Sequence, residues 1–234
     1  MTSTAHVERG GRLVIRLTET LALQSVEDFL TAAEREHLIK IMDSELAAIG
    51  WRPRHQAEVL RAPAPAQEIL RAATARSLHV LQRALPSVAA DARWDYTELT
   101  AGQCIPTHID GIPDPATAPR RIGRIGVVVQ SAEEGGEFYI ETTASPAVWS
   151  GELVGEPEGY APGTPLTHRL PHVHDHAAVP TWLEEVPSTR WITPAGPGTG
   201  LAYGAQVLHG VQPVRTGRLR KFVTDLLDTA AVRR

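Results

Sequence analysis

The sequence predicts a mainly β domain with flanking α-helices, a jelly-roll or cupin-like core with N-terminal helices packed against it. Three observations carry this. Two helix-period patterns occupy the N-terminal third, and the rest breaks into short β-rich runs punctuated by Gly and Pro. No internal repeat or low-complexity tract interrupts that order. Many short strands must hide their edges, and the jelly roll is one of the few architectures that lets them.

The elements follow in order. After a polar start, Arg12 to Leu17 reads as a short strand. Thr31 and Glu34 have the spacing of a capping box, and Leu38, Ile41, Met42, Leu46 and Ile49 continue from it at helical period. Gly50 stands where a helix C-terminus favours glycine. A second helix is expected from about Ala66 to Leu85, with Ile69, Leu70, Ala73, Val80, Leu81 and Ala84 on one stripe and Pro86 ending it. Strands are expected at Asp95 to Thr100, Ile122 to Gln130, Glu137 to Glu141, Gly200 to Tyr203 and Lys221 to Leu227. Thr142 to Arg190 reads mainly as loop, and a loop that long inside a compact domain usually serves function. The chain is read as one domain over 1–234, with an N-terminal strand and helices over 1–90, the jelly-roll core over 91–234, and the long loop at about 142–190.

Composition bounds the partners. With 42% hydrophobic and 21% charged residues, the chain needs neither disorder nor a disulfide framework to explain it. A net charge of -4 argues against nucleic acid, which needs a basic face. The single cysteine, Cys104, reads as a small core residue and points to a reducing, cytoplasmic compartment. No apolar run has signal-peptide or membrane-spanning length, so no membrane partner is expected. The sequence leaves the oligomeric state open.

The chemistry is concentrated in two segments. The first runs from Tyr96 through Gly102 to His108-Ile-Asp110. Residues i and i+2 of a strand point to one face, so His108 and Asp110 can reach one metal ion together. The second, Gly200 to Arg220, supplies His209. Two histidines and one carboxylate leave three adjacent octahedral positions open, which suits non-haem iron(II) oxygen chemistry.

On these residues the stretch from Tyr96 to Leu227 resembles the C-terminal half of prolyl-hydroxylase-type iron(II)/2-oxoglutarate oxygenases. The resemblance takes in His108-Ile-Asp110, the Arg121 to Gln130 run followed by Gly135-Gly136-Glu137, a Pro- and Gly-rich stretch ending in a tyrosine, and His209-Gly-Val-Gln-Pro-Val before a basic final strand. It implies a double-stranded β-helix core. It also implies Fe(II) on His108, Asp110 and His209, 2-oxoglutarate as cosubstrate, dioxygen, and ascorbate as a candidate reductant. The far carboxylate of 2-oxoglutarate would take an arginine; Arg218 and Arg220 flank the expected spacing, and both are named. Tyr96 would donate a hydrogen bond to 2-oxoglutarate, or serve only as a half-buried strand residue. Asp110, where related halogenases carry a small residue, favours hydroxylation.

The resemblance thus implies hydroxylation of an unactivated C–H bond of a small-molecule substrate, such as an amino acid or a metabolite derived from one. A peptide or protein prolyl hydroxylase is the enzymatic alternative, and a cupin-like metal- or ligand-binding protein the non-enzymatic one. Two side features remain. Alternation puts Arg124, Gly126 and Val128 on one face; if that face is inward, Arg124 pairs with a carboxylate of substrate or cosubstrate, and otherwise it is a surface residue. His168, His172, His174 and His176 match no closed zinc pattern and read as a polar loop near the site's mouth.

Overall fold

The computed structural model describes residues 14–51, 59–170, 181–193 and 195–229. The chain opens with helix α1 (Leu17–Thr20), strand β1 (Leu23–Val26), helix α2 (Ala32–Ile49), β2 (Leu60–Arg61), helix α3 (Ala64–Leu81) and β3 (Ala90–Asp91). The core then runs through β4 (Asp95–Thr100), β5 (Ile105–His108), β6 (Arg121–Gln130), β7 (Glu134–Gly135) and β8 (Phe138–Thr142). It continues with β9 (Trp149–Val154), β10 (Thr164–Thr167), helix α4 (Thr181–Glu185), β11 (Thr189–Ile192) and β12 (Gly200–Gly204). β13 (Leu208–Val211), β14 (Val214–Thr216) and β15 (Arg218–Leu227) complete it.

Two antiparallel sheets face each other as a jelly roll. The larger has the order β1-β12-β6-β15-β4-β2, with β3 joined to β15, and the smaller has the order β11-β8-β13-β5. Neighbours in a sheet are distant in sequence, as in β15 between β4 and β6, so each sheet is closed by long-range pairing. Helices α2 and α3 cover the outer face of the larger sheet, and Phe29, Leu38, Met42, Leu70, Tyr96 and Phe222 belong to one buried cluster there.

The expected helix start at Thr31 is present: its hydroxyl accepts from the Glu34 N–H, and Glu34 returns the bond to the Thr31 N–H. Gly50 closes α2 at φ 65°, a left-handed angle that glycine takes without steric cost. Three expectations change. The Arg12 to Leu17 strand shrinks to a single bridge, Ile15 with Tyr160, because α1 begins at Leu17; residues 12 and 13 lie outside the described residues. Helix α3 starts earlier, behind Pro63 and with Pro65 in its first turn, and stops at Leu81 before Pro86 is reached. There the Gln82 side chain donates to the Val88 carbonyl and holds the chain in a turn. Finally, the described part of 142–190 is more than loop: it carries the β9–β10 hairpin, helix α4 and the edge strand β11. Its many glycines and prolines hid short strands whose mixed, mostly exposed faces lack a clean alternation.

Candidate metal centre

Strand β5 delivers His108 and strand β13 delivers His209. The two residues are directly paired across the ladder, so their side chains leave the sheet on the same face, and their rings lie 4.0 Å apart. Asp110 follows two residues after His108. The Gly111 N–H donates to the Ala205 carbonyl at 2.7 Å, which ties the Asp110 turn to the β12–β13 connection. Ile109, between the two ligands, turns away into a small cluster with Val148, Leu170 and Leu208. His108, Asp110 and His209 each offer a donor atom within 4.8 Å of the others.

The surroundings prepare those atoms. Nδ1 of His108 faces the Pro106 carbonyl and Nδ1 of His209 the Val207 carbonyl, each at 2.9 Å. A carbonyl only accepts, so both rings donate from Nδ1 and keep the Nε2 lone pair for a metal. Burial, helped by the neighbouring His209 ring, pushes the His108 pKa down to about 3, which keeps the ligand neutral. Burial alone would raise the Asp110 pKa, but Arg124 and the two imidazoles outweigh it and hold the carboxyl well below the usual range.

Arg124 is inward, and its partners are carboxylates of the protein itself: Asp110 Oδ1 at 2.9 Å and Asp225 Oδ1 at 2.9 Å. Arg121 braces Asp225 from the other side at 2.7 Å. With Oδ1 taken by Arg124, Asp110 Oδ2 is buried without a hydrogen-bond partner among the described residues, 3.5 Å from His209 Nε2. An orphaned carboxylate oxygen beside two imidazole nitrogens is a donor set that fits a divalent iron.

A cavity of about 200 Å³ opens from this centre and is lined by Thr97, Phe138, Tyr203, Lys221 and Val223 among others. Tyr203 is buried with its ring 4.3 Å from His209, and burial raises its pKa, so the hydroxyl stays protonated. The Lys221 amine forms no hydrogen bond or ion pair among the described residues, and burial with the nearby Arg124 pushes its pKa down to about 8.

Three residues expected at the cosubstrate do not line the cavity beside the triad. Arg220 is buried on the opposite face of β15, under α2, where it pairs with Asp43 at 2.8 Å and Glu98 at 3.1 Å. Tyr96 shares that network, bonded to Glu98 and Arg220 and packed on Phe222. Arg218, two residues from Arg220 on the same strand, reaches toward Glu98 at 3.5 Å. The physical reason is strand parity: Lys221 pairs with Thr97 and both face the cavity, while residues one position away face the helices. The cavity is lined instead by Lys221 and by Tyr203 from β12, neither of them among the expected site residues. The signal available was that Lys221 has opposite parity to both arginines. Of the histidine-rich run, His168 is exposed with its ring 5.4 Å from Trp182, and His172, His174 and His176 lie outside the described residues.

No known protein family and no curated protein matches the chain by sequence. Solved structures do match by shape. The viral collagen prolyl hydroxylase vCPH from Paramecium Bursaria Chlorella virus-1, in complex with 2-oxoglutarate, aligns at TM-score 0.52 and 14% identity over 89% of this chain and 96% of that one. A Pseudomonas putida prolyl-4-hydroxylase aligns at 0.53 and 13% over 88% and 93%. The non-heme alpha-ketoglutarate-dependent carbocyclase SnoK from nogalamycin biosynthesis aligns at 0.58 and 10% over 93% and 84%. Two antiparallel sheets closed face to face, with matches that span nearly the whole chain, show that this protein has the double-stranded β-helix fold of the 2-oxoglutarate-dependent oxygenases.

Proposed function

We propose that the protein is an iron(II)- and 2-oxoglutarate-dependent oxygenase that hydroxylates an unactivated C–H bond of a small molecule. The observation that carries this reading is the convergence of His108, Asp110 and His209 beside the Lys221 amine, which has no partner among the described residues, in one cavity. Metal ligands alone would suit a cupin-like binding protein. A cation poised in the same cavity supplies what a dianionic cosubstrate needs.

His108 and His209 would hold iron through Nε2, and Asp110 through Oδ2, while Arg124 keeps that carboxylate oriented and charged. Bound iron supplies the oxidising chemistry: 2-oxoglutarate and dioxygen become succinate, carbon dioxide and a hydroxyl group on the substrate. Lys221 would bind the far carboxylate of 2-oxoglutarate. It stands four residues along β15 from Asp225, on the same face of the strand, and lines the cavity with His108 and His209. The Tyr203 hydroxyl would donate a second hydrogen bond within the same cavity. Ile105, Phe138 and Val211 line the walls with apolar surface and limit water at the reacting centre.

Anaerobic titration of the metal-free protein with iron(II) and then 2-oxoglutarate tests the reading, with His108→Ala as control. A weak visible charge-transfer band in the wild type alone supports it. Tight metal binding with no band would favour the cupin-like alternative.

A further inference from the structure

We propose that the substrate of this site carries a flat, largely apolar ring, which enters at the open seam between β1 and β11 and stacks on Trp191. This deepens the oxygenase reading and rests on it for the location of the reacting centre.

The register places Trp191. It is paired with Ile140, Ile140 with His209, and His209 with His108, so the four residues form one row across the smaller sheet on its inward face. Trp191 is thus two strand spacings, about 10 Å, from the metal ligand His209. The opposite sheet has a matching row. Tyr203, in ring contact with His209, is paired with Leu23, which faces the same way one strand further out. β1 and β11 are the outermost strands of their sheets, so both rows end at an open edge.

At that edge the apolar side chains are uncovered. Trp191 is 56% exposed, Leu23 40% and Leu21 43%. The indole is not free to swing, because its Nε1–H donates to Thr142 Oγ1 at 3.0 Å, which fixes one ring edge and leaves the faces available. Thr142 and Ile140 also line a mostly apolar cavity of about 240 Å³ shared with Leu21, Val148, Trp149 and Val207, with Glu141 and Gln206 at its border. A rigid aromatic plane, an opposing leucine lip and an adjoining apolar cavity suit a planar ring.

Charge argues against an amino acid at this entrance. The inward positions of β8 and β11 are Phe138, Ile140, Thr142, Thr189 and Trp191, and that of β1 beside Tyr203 is Leu23, so none carries a charge. Arg190 and Glu141 sit on the other face of the smaller sheet and are paired at 2.7 Å, with Glu141 also bordering the 240 Å³ cavity; in the larger sheet the charges begin one strand beyond Tyr203, where Arg124 is paired with Asp110 and Asp225. A zwitterion would find no charged side chain beside Trp191, Ile140 or Leu23 on the inward faces of these strands.

The test measures binding without catalysis. Full-length wild-type, Trp191→Ala, Trp191→Phe and His108→Ala proteins are titrated, without metal, with 1-naphthol, a neutral flavone, free proline and a proline-containing peptide, by calorimetry or equilibrium dialysis. The expected result is binding of the two ring compounds that weakens about tenfold or more in Trp191→Ala. Trp191→Phe should lie within threefold of wild type, and His108→Ala should match it. Equal ring binding in Trp191→Ala, no ring binding at all, or binding of the peptide in place of the rings would overturn the proposal. Because iron and 2-oxoglutarate are absent, ring binding that survives in a protein with no charge-transfer band would count against the oxygenase reading alone.

Discussion

Replacing Lys221 by Met removes an amine while keeping a stem of similar length, and its consequences can be worked from the position of that amine. In the free protein the amine is held near a pKa of about 8 by burial and by Arg124, with no acidic partner bonded to it among the described residues. A charge-assisted bond to a carboxylate is worth about 1.5–3 kcal/mol, so its loss should weaken 2-oxoglutarate roughly 10- to 150-fold. Iron affinity should hardly change, because His108, Asp110 and His209 are untouched. The pH dependence follows from the protonated amine being the binding form. Wild-type affinity should be flat below the pKa of about 8 and fall about tenfold per pH unit above it, and Lys221→Met should lose this slope. Stability should move the other way. A lysine whose folded pKa is depressed penalises the native state below that pKa, and the penalty fades as pH rises from about 8 toward the ordinary 10.5. The variant should therefore be more stable at pH 7, by on the order of 2 kcal/mol after allowance for partial solvent access, in urea unfolding. Anaerobic titration of the chelate band gives the affinities. An unchanged 2-oxoglutarate affinity in Lys221→Met, together with a large loss in Arg218→Met or Arg220→Met, would refute the assignment.

Other residues give separate expectations. Arg220→Met leaves Glu98 buried without its main counter-charge and should cost about 3–5 kcal/mol in denaturant unfolding, with 2-oxoglutarate affinity unchanged in the protein that still folds. Arg124→Leu strips Asp110 and Asp225 of a shared cation; iron affinity measured by competition with a chelator should fall at least about tenfold, and Arg124→Lys should recover part of it. Gly210→Ala would bring a Cβ to 2.3 Å from Tyr139 Oη and 2.5 Å from the Ile105 carbonyl, so thermal unfolding should show a loss of about 1–3 kcal/mol.

Sequence by itself determined what local chemistry controls. The capping box at Thr31, the left-handed stop at Gly50, the extent of β4 and the i, i+2 pair His108 and Asp110 follow from periods and side-chain types within a few residues. His209 could be named because its flanking motif is also local. Tertiary structure decided the rest, and the reason is burial on both sides of the central strands. On β15, Leu219, Arg220, Phe222, Val223 and Thr224 are all buried, since helices cover one face and the metal cavity lies against the other. Alternation therefore cannot tell inside from outside, and a reading off by one residue exchanges Lys221 for Arg220 and Thr97 for Tyr96. The partners of Arg124 were equally out of reach, because Asp225 stands 101 residues later and meets it only through the β6–β15 pairing. Trp191 gained its meaning in the same way, from three strands aligned in register beside a histidine that no local pattern connects to it.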